Sequence, residues 1–234
     1  MHLSEAAFSQ LVALSTGTLL VTSVLFVWRR SLRAAVRLLA VQGGALALLV
    51  AAIALAEREG ELLVTALIVL AVKAVAIPLV LARGLRADGA ALRDEPRMNP
   101  TTGLLAVAGL TTVAYLVSRP IIDATRGVAA LLAGGDAEAG PAAFAVPVGL
   151  TMVLVGFLLL VTRRRALSQM VGFLLLDNGI ATVAFLTAAG VPFIVELGVS
   201  LDVLLVALIL AVLSGRLAEL FGAADIGRLT GLRD

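Results

Sequence analysis

The sequence predicts an all-α, polytopic membrane protein of about seven transmembrane helices, arranged as two parallel three-helix repeats joined by an extra helix. Three observations predict it. The chain carries an apolar excess foreign to water-soluble domains, it holds seven separate stretches long enough to cross a bilayer, and its arginines fall on alternate loops. Of its 234 residues 61% are hydrophobic and 15% charged, with a mean hydropathy of +1.09. Soluble domains run nearer about 45–50% apolar and about 25% charged. No charged run is long enough to make an extramembrane domain.

A span needs about 20 apolar residues at a rise of about 1.5 Å each. Seven stretches qualify: Ala6–Trp28, Ala35–Ala56, Leu62–Leu81, Thr101–Val117, Ala142–Thr162, Ser168–Ala189 and Phe193–Gly215. The fourth is the shortest. The first has no basic region before it and is longer than the apolar part of a signal peptide, so it reads as a retained span. Residues Ile121–Ala133 are too few to cross and read as a surface or interfacial segment, followed by a glycine-rich loop, Gly134–Pro141.

The loop charges test this count. Arg29, Arg30, Arg33 and Arg37 follow span one; Arg83, Arg86, Arg93 and Arg97 follow span three. Arg163, Arg164 and Arg165 follow span five, and Arg216, Arg228 and Arg233 follow span seven. The other side holds Arg58, Arg119 and Arg126 among seven acids. Fourteen arginines against three place the N-terminus outside and the C-terminus in the cytoplasm. The pI near 9.9 is therefore a topology signal and not a nucleic-acid surface, for which 4% aromatics leave little stacking material.

An internal repeat accompanies the alternation. Arg29-Arg30 and Gln42-Gly43-Gly44 lie over Arg164-Arg165 and Asp177-Asn178-Gly179 at a constant offset of 135. Beyond the outer loop the offset becomes 131, setting Leu63–Leu67 over Ile194–Gly198. Residues 1–86 then form the first three-helix unit, 87–140 the connecting helix and loops, and 141–234 the second unit. With one span between them the two copies share an orientation.

One lysine and three acids fall within spans: Lys73, Asp177, Glu196 and Asp202. A charge at bilayer depth costs from about 2.5 to above 10 kcal/mol, so such groups face a protein interior or water. Asp177 and Asp202 each lie about 13 Å inside their spans, near the midplane. Glu196 sits in the outer third, and Gly198, one turn before Asp202, opens space beside that carboxyl. Lys73 is mid-span in the third helix. Pro78 cannot donate to the carbonyl of Ala74, which frees an acceptor beside the lysine. Burial penalises the charged form of any ionisable group, which suits a proton carrier. The alternative is static: an acid bonded to a neighbouring helix, or Lys73 neutralising one carboxylate. Gln42, the counterpart of Asp177 in the first repeat, reads as interhelical glue. Trp28 and Tyr115 sit near span ends as interface anchors.

Much chemistry is excluded. Cysteine is absent and His2 is the single histidine, which removes thiolate-bound iron–sulfur and nickel sites, bis-histidine haem and the usual zinc sites. No cofactor or metal is expected in this chain. There is no Walker loop, no GxGxxG, no GxSxG and no nucleophile–base pair.

The stretch Gly172–Ile180, GFLLLDNGI, resembles the GFLxLENGI region of component E of hydrogenase-4. Pro192–Val203 resembles that family's P-x-x-x-ELG-x-x-x-D-V, while Gln42-Gly43 and Val72–Pro78, VKAVAIP, resemble its Q-G and VKAxxIP patterns. That family is in turn similar, in each half, to subunit K of respiratory complex I and to the C-type component of multisubunit cation/proton antiporters. The resemblance implies a subunit not catalytic alone, in a complex-I-like group 4 hydrogenase or formate hydrogenlyase of a prokaryotic cell's inner membrane. Its implied partners are antiporter-like and subunit-H-like membrane proteins and a soluble redox arm. It also implies that Asp177 and Asp202 fall on two glutamates of subunit K implicated in proton passage. Aspartate at 177 departs from the glutamate usual there and shortens the side chain by one methylene. The expected mechanism is a proton, or Na⁺, relay through Asp177, Asp202, Glu196 and Lys73. The alternatives are a subunit of a cation/proton antiporter or variant complex I, and a structural scaffold; a stand-alone transporter ranks behind both.

Overall fold

A computed structural model describes residues 4–29, 31–87, 98–133, 145–164 and 166–187, and among them every element is helical. Helix α1 (Glu5–Trp28) starts at Ser4, whose hydroxyl accepts from the Ala7 N–H at 3.2 Å, satisfying one orphan donor of the first turn. The backbone becomes extended at Arg29, and α2 (Leu32–Glu57) begins three residues later. Helix α2 ends at Arg58, which takes the left-handed conformation at φ 58°, while the Glu59 N–H returns to the Ala54 carbonyl at 3.1 Å. The next rod has three parts: α3 (Gly60–Val69), a π-helical segment (Leu70–Ala76) and α4 (Ile77–Ala87). Then follow α5 (Pro100–Ala133), α6 (Val146–Thr162) and α7 (Ala166–Thr187).

Five of these helical runs are long and apolar enough to cross a membrane, and the apolar α6, at 17 residues, is shorter. They coincide with the first six expected spans. The seventh, Phe193–Gly215, lies outside the described residues, as do Glu196, Gly198 and Asp202. The expected break after Val117 is not found: α5 runs unbroken for 34 residues with Pro120 inside it. One missing N–H deprives a single carbonyl of its helical partner, which a helix survives when nearby groups compensate. The carbonyl concerned is that of Leu116; one residue earlier, the Ser118 hydroxyl donates to the Tyr115 carbonyl at 3.1 Å.

Helix α2 is the hub. It packs against α1, α7 and all three parts of the rod, and its Leu46, Leu49 and Val50 are fully buried. Helices α6 and α7 form the most intimate pair, and α6 also leans on α1 and α5. Glycines make the α6–α7 contact possible. A Cβ on Gly156 would stand 2.7 Å from the backbone nitrogen of Leu176, and one on Gly179 2.7 Å from that of Val153, so the two backbones touch directly.

The surface is inverted relative to a soluble protein. Large apolar side chains such as Leu14, Leu67, Leu105, Phe157 and Val161 point outward, while Gln42, Lys73, Asp177, Asn178 and Thr182 are buried. Several buried hydroxyls are satisfied within their own helices: Thr16, Ser23, Thr151 and Thr182 each donate to the carbonyl four residues back at 2.7–2.8 Å. This is the arrangement required when no water is available to the backbone or to short polar side chains.

Candidate functional site

The buried polar groups gather where α2, the π-helical segment and α7 meet. Lys73 lies at the middle of the π segment. There the Ile77 N–H bonds to the Val72 carbonyl, five residues back. The wide turn lies immediately before Pro78, on the side where the ring removes a donor. Such single π turns recur at functional sites. The Lys73 ammonium donates from Nζ to Oδ2 of Asp177 at 3.0 Å, forming a salt bridge whose side chains are 2% and 11% exposed. The two residues are 104 positions apart in the chain, and α7 places Asp177 at mid-length.

A second set of bonds stands beside the first. Asn178 Nδ2 donates to Gln42 Oε1 at 3.2 Å. Gln42 Nε2 in turn donates to Ser23 Oγ at 3.2 Å and, more distantly, to Thr22 Oγ1 at 3.4 Å. Consecutive residues of a helix point about 100° apart, so α7 sends Asp177 to the π segment and Asn178 to α2. The two contacts together fix the rotation of α7 about its axis. Gln42 is therefore the interhelical bridge expected of it, joining α1, α2 and α7.

Gly43 forms the floor of the site. A Cβ there would lie 2.5 Å from the carbonyl carbon of Lys73, 2.6 Å from its oxygen and 2.7 Å from the Ala74 nitrogen. Only hydrogen on that Cα lets α2 touch the π segment at the lysine. The Gln42-Gly43 dipeptide thus presents its two faces to two neighbours: the amide to Asn178, the bare backbone to Lys73.

Of the four expected site residues, the structure brings Lys73 and Asp177 together; Glu196 and Asp202 are outside the described residues. Among the described residues no group of three histidines, cysteines or acids could hold a metal. The sequence reading overlooked Asn178, Ser23 and the structural use of Gly43, although the repeat Gln42-Gly43-Gly44 over Asp177-Asn178-Gly179 had flagged both segments. It also took Arg163 as a topology charge alone. Arg163 is buried, and its Nη2 donates to the carbonyls of Phe26 at 2.9 Å and Arg29 at 3.3 Å, closing the C-terminus of α1.

The arrangement sets an ammonium donor against a carboxylate acceptor at hydrogen-bond distance, inside the bundle and away from its surface. The amides of Gln42 and Asn178 do not titrate; they orient.

No protein-family model matches the chain, and no solved structure matches it. It is 46% identical over 233 residues to the uncharacterized protein Rv0085 of Mycobacterium tuberculosis, covering 99% of this chain and 100% of that one. It is 24% identical over 225 residues to hydrogenase-4 component E of Escherichia coli K12, covering 96% of this chain and 98% of that one, with the same figures for the protein of that name in Shigella flexneri.

Proposed function

The chain belongs to the family of Mycobacterium tuberculosis Rv0085, and from that premise we propose that it is a non-catalytic inner-membrane subunit of a complex-I-like, hydrogenase-type assembly that passes protons as redox chemistry proceeds elsewhere. The observation that carries this reading is the Lys73–Asp177 pair, buried at mid-span in a π turn. The full-length likeness to hydrogenase-4 component E supports the choice of assembly. Its partners are other membrane subunits and a soluble redox arm, which supplies the electron chemistry that this chain lacks residues to perform.

In this mechanism Lys73 holds a proton against Asp177 in the resting state. A change of charge in a neighbouring protein of the assembly alters the local field. The proton then moves to the carboxyl, leaves toward Asp202 and Glu196, and Lys73 is reloaded from the other side. The π turn suits this task because reverting to α-helical hydrogen bonding would rotate the lysine about the rod. A further support concerns the repeat. Helices α1 and α6 end side by side at Arg163, and each turns within a few residues into a second long helix.

The test uses inverted membrane vesicles carrying the whole assembly, with proton uptake followed by a pH-sensitive dye and redox turnover followed in parallel. Scored per intact assembly recovered in the membrane, Asp177→Asn and Asp202→Asn should lower proton uptake per turnover at least several-fold. Normal coupling in both variants sinks the relay and leaves the pair as structural glue.

A further inference from the structure

A carboxyl sheltered at mid-span takes up a proton or a sodium ion, and the groups around it decide which. The two cations make different demands. A hard metal cation needs several oxygens at once to replace its hydration shell. A proton needs a single acceptor and moves along a hydrogen bond that is already made.

The oxygens around Asp177 have nitrogen donors on them. Its Oδ2 holds the Lys73 ammonium at 3.0 Å. Gln42 Oε1 accepts from Asn178 Nδ2, while Ser23 Oγ and Thr22 Oγ1 accept from Gln42 Nε2. The Ser23 and Thr182 hydroxyls give their own protons to the carbonyls of Leu19 and Asn178. Lys73 is also held where it stands. It is buried, and α2 closes on its backbone at Gly43, where a Cβ would lie 2.6 Å from the Lys73 carbonyl oxygen. A sodium ion at Asp177 would stand beside that ammonium, putting two like charges on one carboxylate inside an apolar bundle, and each disfavours the other there. The ammonium is the resident cation of the site.

We propose that Lys73 is the specificity-determining residue of the relay: its ammonium occupies the place at Asp177 that a sodium ion would need, so the site passes protons and refuses sodium. A short neutral residue at position 73 opens that place. The inference rests on the relay proposed above, and its experiment separates the two.

The first arm uses the full chain in a mild detergent. Thermal unfolding is compared in sodium chloride and in choline chloride at equal ionic strength, and retention of radioactive sodium is measured beside it. Wild type and Lys73→Arg should unfold at the same temperature in both salts and retain no sodium. Lys73→Ser should unfold several degrees higher in sodium and retain about tenfold more of it than wild type, since an ion bound only by the folded form stabilises that form. The double variant Lys73→Ser/Asp177→Asn, which has no carboxylate to neutralise, should fold and lose both responses. The second arm follows coupled proton uptake by the whole assembly in vesicles, which should be the same for wild type with and without sodium. The proposal is overturned if wild type retains sodium in an Asp177-dependent way, or if Lys73→Ser retains no more sodium than wild type. It is also overturned if Lys73→Ser cannot be recovered folded in sodium while the double variant can, or if wild-type proton uptake requires sodium. Failure of the relay itself reads differently: coupling stays normal in Asp177→Asn while the sodium response of Lys73→Ser persists.

Discussion

Consider removing the charges of the Lys73–Asp177 pair one at a time and then together. The ammonium and carboxylate are 3.0 Å apart. At an effective dielectric constant of about 20 their attraction is about 5 kcal/mol. A single substitution, Lys73→Met or Asp177→Asn, orphans the other group. Breaking a buried pair by removing one partner costs about 3–5 kcal/mol, and that is the cost expected of either single variant. The double variant has no orphan, and neutral replacements of buried pairs cost little, so about 1–2 kcal/mol is expected. The coupling energy should therefore be about 3 kcal/mol or more. It can be measured by reversible unfolding of the four proteins in mixed micelles, titrated with a denaturing detergent and read by circular dichroism. Additivity within about 0.5 kcal/mol would refute the reasoning, because it would mean that the two groups do not meet as charges in the folded protein.

Two further outcomes follow from the walls of the same site. Gly43→Ala should cost about 1–3 kcal/mol in the same unfolding assay, since the new methyl meets the backbone of Lys73 and Ala74, which cannot swing aside. Gly44→Ala is its control: a Cβ there meets nothing within 4 Å, so the change should be neutral or stabilising by up to about 1 kcal/mol through helix propensity. Gln42→Leu should cost about 1–3 kcal/mol, because it strands the Asn178 amide in the interior. Thermal unfolding would check it, and a Gln42→Leu protein as stable as wild type would mean that the α1–α2–α7 bridge contributes nothing.

The all-helical class and the places of six apolar helices were legible because both rest on local physics. An unbroken apolar run of about 20 residues has few other folded uses. Lys73 was singled out as a buried charge on the same ground, and Pro78 pointed to the disturbed hydrogen bonding that the π segment displays. The reading of residues 121–133 as a separate segment failed, because α5 runs through Pro120 and carries them as its continuation. Arg163 was misjudged because an arginine at a span end has two uses, as a topology signal and as a buried cap, and composition does not separate them. The seven-residue spacing of Gly149 with Gly156, and of Gly172 with Gly179, marked one face on each of α6 and α7 and could have revealed their contact.

By itself the sequence determined the class, a membrane protein of apolar helices, the places of those among the described residues, and that Lys73 and Asp177 are sheltered from the surface. Which of those groups meet was decided only by the tertiary structure. In a soluble helix an apolar stripe shows which side faces the core. These helices are apolar on every side, since lipid and protein interior make the same demand. Their facing sides were set instead by the glycines that let backbones touch, at Gly43, Gly156 and Gly179, and by the rotation of α7 that carries Asp177 to Lys73 and Asn178 to Gln42.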